Sequence, residues 1–200
     1  MINIDLFTND LNIIKVISKK FNIINLFTEK NYVLKCKNQY KFNVIPVTNK
    51  KELSNKLRKN QKLAISYGFG IIFDLDNIKK YDHGIWNIHP GDLPSYRGRH
   101  PITAAFLNDE KKIGTSIHSI NDKIDMGFLL AKTYVNRNYS DDENSIKKKI
   151  FKKLPKLLSL SLSNYKKKKL KKLSSGKYYK PFFKGVAIKD HRKLNFKYIL

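Results

Sequence analysis

The chain has 200 residues, of which 41% are hydrophobic and 12% aromatic; this suits one ordinary core and excludes a disordered polymer. Its net charge of +25 is mostly lysine and comes with abundant Asn and Ile, which reads as a surface bias more than as a nucleic-acid footprint, with attraction of an anionic substrate as a by-product. A single cysteine, Cys36, excludes an internal disulfide, "MINIDLFTND" lacks signal-peptide regions, and no apolar run approaches the roughly 20 residues of a membrane span, so a cytoplasmic protein is expected.

"INIDLF" (2–7) reads as a strand, and "LNIIKVISKKF" (11–21) as a helix with Leu11, Ile14 and Ile17 on one face. "NIINLFT" (22–28) and "FNVIPV" (42–47) are further strands, and Thr48 is the expected N-cap of a helix over "NKKELSNKLRKN". "KLAISY" (62–67) is a buried-type strand, followed by the turn-rich "GFG" and a short helix near 74–80. "GIWNIH" (84–89) is the next strand and "HPITAAFLND" (100–109) the next helix, with Pro101 in its first turn. "GTSIHSI" (114–120) and "FLLAKTYV" (128–135) read as two strands enclosing the loop "NDKIDMG".

From Ser140, the run Ser140-Asp141-Asp142-Glu143 has the form of a capping box and opens a helix. Pro155 is expected to kink or end it, with a second helix through "LLSLSLSNYKKKKLKKL" and then the aromatic "SSGKYYKPFFKG". Strand–helix alternation implies an α/β, Rossmann-like fold: a mostly parallel sheet with helices on both faces and a short C-terminal extension. The expected division is a catalytic domain over 1–139 and C-terminal helices with an aromatic, basic tail over 140–200. Ligands of such sheets bind beyond the carboxyl ends of the strands.

Asn87 and His89 stand at such an end, two apart on a strand, so they share one face. A neutral imidazole can act as a general base, and an amide can hold an oxyanion. The pair lacks a carboxylate, and Asp92, Asp109, Asp122 and Asp125 are all candidates; spacing alone does not choose among them.

The longer pattern, "WNIHPGDLPSYRGRHPITAAF" followed by "GTSIHSINDKIDMG", resembles the catalytic domain of the folate-dependent formyltransferases over roughly residues 62 to 135. The resemblance implies Asn87, His89 and Asp125 as the catalytic set: His89 as proton acceptor and donor, Asn87 as oxyanion donor, and Asp125 orienting His89 or stabilising its charge. It implies N10-formyltetrahydrofolate as cosubstrate and neither metal nor enzyme nucleophile. Phe69, Gly70 and Ile72 would line the pterin pocket, and Ile120 and Asn121 belong to the loop that closes it. Arg97 and His100 would meet an anionic substrate.

Among the relatives, the nucleotide-sugar N-formyltransferases are most similar in "HPGDLPSYRGRHP" and in the second motif. The implied substrate is therefore a nucleotide-linked aminodeoxysugar, such as a 4-amino-4,6-dideoxyhexose, used in surface polysaccharide synthesis. The alternatives are phosphoribosylglycinamide, set back by the lack of a Gly/Ser-rich loop after the first strand, and methionyl-tRNA, set back by the short C-terminal part. The tyrosines of "KYYKPFFKG" suggest a homodimer contact. A non-enzymatic rival, a nucleic-acid or membrane-surface binder built on "YKKKKLKKL" (165–173), is disfavoured by the poor amphipathicity of that run read as a helix.

Overall fold

The computed structural model describes residues 1–33 and 40–180; Cys36 and the Pro181-Phe182-Phe183 part of the aromatic tail lie outside them. The first half unfolds in chain order as β1 (Ile2–Thr8), α1 (Asn12–Ile17), β2 (Phe21–Glu29), α2 (Lys30–Val33), β3 (Asn43–Val47), α3 (Lys50–Lys56), β4 (Ala64–Tyr67), α4 (Leu75–Ile78) and β5 (Ile85–His89). The second half holds β6 (Arg97–Gly98), α5 (Pro101–Leu107), β7 (Lys112–Ser119), β8 (Phe128–Asn136), α6 (Glu143–Lys166), β9 (Lys171–Lys172) and β10 (Tyr178–Tyr179). Eight strands form one sheet in the order β3-β2-β1-β4-β5-β7-β8-β9. The first five run parallel, and β7, β8 and β9 are added antiparallel. This is the expected mostly parallel α/β sheet, with its order reversing between β1 and β4.

Strand alternation divides the core. Ile4, Leu6, Ile65, Trp86, Ile88 and Ile117 pack on one face, beneath α1 and α6. On the other face Phe7, Phe27, Ala64 and Ile85 meet Leu53 of α3, together with Phe73 and Tyr81. Asn87 and His89 follow Ile85 at two-residue intervals and so continue this second face, where the apolar cover stops. A third cluster joins α5 to α6 through Ile102, Phe106, Ile146 and Ile150.

Four local expectations are corrected. Asn49, not Thr48, caps α3, with its side chain accepting from Glu52 N at 2.9 Å; Thr48 instead donates to the Glu52 carboxylate. Asp142, not Ser140, caps α6, and the reciprocal partner is Ser145. Pro155 neither ends nor divides that helix, which runs unbroken for 24 residues. Burial of Leu154, Leu157 and Leu158 on the sheet is worth roughly 1.5–3 kcal/mol per side chain, which outweighs the roughly 3 kcal/mol cost of an interior proline. The run 165–173 is not a helix beyond Lys166: the chain turns at Lys168, whose φ is +53°, and Lys171–Lys172 pairs with β8. Leaving the helix lets Leu173 become buried, with its N–H donating to Gly127 O at 3.0 Å.

Candidate active site

The end of β5 delivers Asn87 and His89 to one face because Trp86 and Ile88 are both buried on the other, each about 1% exposed. Across the antiparallel ladder Asn87 faces His118 and His89 faces Ser116. After Pro90 the chain is fastened at once. Ser116 Oγ donates to Gly91 O at 2.8 Å and accepts from Leu93 N at 3.1 Å. Asp92 turns outward, where Lys132 Nζ (2.7 Å) and Tyr134 OH (3.1 Å) donate to it.

The four candidate carboxylates therefore separate in space. Asp92 is held by β8, Asp109 pairs with Arg137, and Asp122 is exposed. Asp125 alone among them reaches the two histidines: its Oδ1 lies 3.8 Å from His89 Nδ1 and 3.3 Å from His118 Nε2. Its backbone is left-handed, φ +54°, a conformation Asp tolerates better than most residues, and its Oδ2 accepts from Gly98 N at 2.9 Å. Burial raises the carboxyl, but the His118 hydrogen bond, the two imidazoles and the Gly98 N–H outweigh it and hold Asp125 at about 2.

His89 is 4% exposed. Burial pushes its pKa down, partly opposed by Asp125 and by the Tyr96 carbonyl, while His118 adds to the lowering. Its Nε2 lies 2.6 Å from Tyr96 O. A carbonyl only accepts, so Nε2 carries the proton and Nδ1 keeps a lone pair on the side of Asp125. His118 Nδ1, 2.9 Å from Ser119 O, is likewise a donor. Its Nε2 stands 3.3 Å from both Asn87 Nδ2 and Asp125 Oδ1: the neutral ring accepts from Asn87, and the protonated ring donates to Asp125. The site thus holds a base, an amide donor and a carboxylate on one face, linked by a second histidine.

The other predicted residues fall into two groups. Phe69 and Ile120 are partly buried against the Phe7–Phe27–Phe73 cluster, so both border the apolar half of the face that carries Asn87. The loop after β4 is pinned there because Gly70 N donates to Glu29 Oε1 at 3.1 Å. Ile72 is 64% exposed and stands off this packing. Asn121 spends its side chain on its own loop, donating to Met126 O and accepting from Lys123 N. Arg97 does not extend freely from its loop: Nε and Nη2 donate to Ile124 O at 3.1 and 2.8 Å, and Nη1 to Gly176 O at 3.4 Å. His100 is exposed at the N-cap of α5. Tyr96 and Gly98 act here through backbone atoms, which a residue pattern does not display; His118 stands out in the second motif, on the strand before Asp125, but its contact with Asn87 follows from the strand pairing.

A cavity of about 320 Å³ lined by Asp5, Asn25, Phe27, Asn43, Arg58 and Gln61, among others, holds none of these residues. Asp5 is level with the first residues of β4 and β5, so this cavity opens toward the amino ends of the strands, away from His89. Among the described residues no group of three or more His, Cys, Asp or Glu is placed to hold a metal ion, and no helix is long and apolar enough to cross a membrane.

Comparison with known proteins gives this geometry a context. The family model described as formyl transferase matches residues 6–162. The methionyl-tRNA formyltransferase of Borreliella burgdorferi is 32% identical over 109 residues, covering 54% of this chain and 35% of that protein. A 4-N formyltransferase from Francisella tularensis shares the fold with a TM-score of 0.71 at 22% identity, over 89% of this chain and 76% of that one. The phosphoribosylglycinamide formyltransferase of Streptococcus pneumoniae shares it with a TM-score of 0.68 at 24% identity, over 80% and 98%. The chain spans between 24% and 35% of the length of the first curated relatives it matches.

Proposed function

The chain belongs to the formyl transferase family, and on that footing we propose that it moves a formyl group from N10-formyltetrahydrofolate to the amine of a nucleotide-linked aminodeoxysugar. The observation that carries the reading is the convergence of Asn87, His89 and Asp125, with the unprotonated Nδ1 of His89 turned toward Asp125 at 3.8 Å. The cosubstrate supplies a formyl carbon at the amide oxidation level, which the amine takes with release of tetrahydrofolate. Phe69 and Ile120, at the edge of an apolar cluster that adjoins Asn87, suit a flat aromatic pterin, so this group fits the residues present.

His89 Nδ1 accepts the proton that leaves the attacking amine, and the ring holds it for return to the departing nitrogen. Asp125 stabilises the imidazolium that forms. Asn87, with one amide hydrogen directed at His118, has its second for the oxygen on which negative charge builds.

One observation bears on the amine. Asp10 Oδ1 accepts from Asn12 N at 3.0 Å at the start of α1, and Thr8 Oγ1 accepts from Asp10 N at 3.0 Å. A carboxylate already occupies the helix start after β1, which disfavours a terminal phosphate there and sets back phosphoribosylglycinamide. Arg99 and His100, both exposed between β6 and α5, offer contacts for the diphosphate of a sugar nucleotide. Methionyl-tRNA is the second reading, favoured by the 32% identity to the Borreliella enzyme.

The test is to supply N10-formyltetrahydrofolate with each amine separately and follow tetrahydrofolate release and product mass. Turnover with an aminosugar nucleotide supports the proposal. Turnover only with methionyl-tRNA or glycinamide ribonucleotide replaces the substrate, and no turnover with any amine removes the reading.

A further inference from the structure

Tyr96, Arg97 and Gly98 are consecutive, and each holds a different part of the His89–Asp125 pair. The Tyr96 carbonyl accepts from His89 Nε2 at 2.6 Å, and Gly98 N donates to Asp125 Oδ2 at 2.9 Å. Between them, the Arg97 guanidinium donates twice to the carbonyl of Ile124, the residue before Asp125, at 3.1 and 2.8 Å. Asp125 needs such outside support. Its left-handed backbone, φ +54°, costs on the order of 1–3 kcal/mol and persists only where the surroundings hold it.

The tripeptide is itself held from the C-terminal side. β6 pairs with β10 in a separate two-stranded sheet, Tyr178 against Arg97 and Tyr179 against Gly98. Arg97 N donates to Lys177 O at 3.1 Å, Arg97 Nη1 reaches Gly176 O, and the guanidinium lies 5.7 Å from the centre of the Tyr178 ring. The Tyr179 ring stacks on Tyr96 at 5.4 Å with only 3° between planes, and its hydroxyl accepts from Asn108 Nδ2 at 2.6 Å. Gly98 has φ +110°, and a Cβ there would stand 2.2 Å from Tyr179 O, so only glycine lets the two segments close.

We infer that residues 176–179 form a strap that sets the spacing of His89 and Asp125 through the Tyr96-Arg97-Gly98 bridge, making Arg97 and Tyr179 positioning residues. The inference rests on the proposed formyl transfer for the reaction that the spacing serves; the spacing itself can be read without turnover. Among the described residues, Asp125 and His118 are the charged or titratable groups that act on the His89 ring. Loosening the strap withdraws Asp125, the group that favours the imidazolium, so the His89 titration moves to lower pH. Loss of Arg97's positive charge alone would move it the other way. Tyr179→Ala keeps that charge, and the sign therefore separates the two effects.

The experiment follows the His89 ring by NMR across a pH titration of the full chain, in wild type, Arg97→Ala, Arg97→Lys and Tyr179→Ala, each checked for a cooperative thermal melt. Downward shifts of roughly half a unit or more are expected in Arg97→Ala and Tyr179→Ala, with part of the shift recovered in Arg97→Lys, which keeps one donor. In the transfer assay kcat should fall about tenfold, with KM for donor and amine within about twofold. Unchanged or upward titration in both alanine variants overturns the inference, and so does a rise in KM alone, the mark of a direct substrate contact. If wild type transfers no formyl group, the functional reading fails while the titration still decides the strap.

Discussion

His89 and Tyr96 are joined through a side chain and a backbone carbonyl, 2.6 Å apart, and that bond assigns the two nitrogens of the imidazole different work. Nε2 is committed as a donor. Nδ1 is left as the basic atom, beside Asp125. Orientation of the ring is thus supplied by the loop after β5, and Asp125 contributes charge.

Removing the base tests this division directly. His89→Ala is expected to lower kcat by roughly 10²–10⁴-fold while circular dichroism and a cooperative melt persist, because the main core clusters lie on other residues. Wild-type turnover by this variant would end the proposed mechanism.

The pH–rate profile should have an acid limb below 6.5. Burial favours neutral His89, so its folded pKa lies under the ordinary 6.5, and the base stays competent until the pH falls through that lowered value. Asp125, at about 2, remains ionised throughout and contributes no limb of its own. In Asp125→Asn the plateau of kcat/KM should drop and the limb should move lower still; a limb above 6.5 in wild type contradicts the geometry.

Acid stability follows the same carboxylate. Because the folded pKa of Asp125 is depressed, its contribution is present above the unfolded value of 3.8 and disappears as the pH falls toward about 2. Urea unfolding of wild type and Asp125→Asn should therefore differ more at pH ~6 than at pH ~2.5. A gap that is the same at both values counts against an ionised, partnered Asp125.

Asn77 offers a test in the opposite direction. It is fully buried in α4, and neither side-chain amide atom finds a partner among the described residues. Asn77→Leu should raise stability by about 1–3 kcal/mol, the cost of an unpaired buried polar group. Lower stability in chemical denaturation would show that the amide is satisfied.

Pro155 supplies the last prediction. With α6 continuous across it, Pro155→Ala restores a backbone donor without changing the buried face and should stabilise by about 1–3 kcal/mol. A loss of stability would mean that the ring itself packs in a way alanine cannot replace.

Much of this molecule was legible in one dimension. Alternation gave most strands within a residue or two, since a residue two places on returns to the same face whatever lies around it. The same rule paired Asn87 with His89. Local rules failed where a distant contact outweighed them: α6 passes through Pro155 because its leucines lie on the sheet, and the lysine run leaves the helix so that Leu173 can be buried. Spacing alone did not choose among Asp92, Asp109, Asp122 and Asp125, although the resemblance implied Asp125. All four follow a strand or helix in sequence, and only the folded chain brings Asp125 to His89 and sends the others to Lys132, Arg137 or solvent. The residue types proposed for the chemistry are therefore written in the sequence, because period and motif are local. Their partners, Tyr96 O, Gly98 N and the strap at 176–179, are decided by tertiary structure, because backbone groups carry no sequence signal and meet only when remote segments pack.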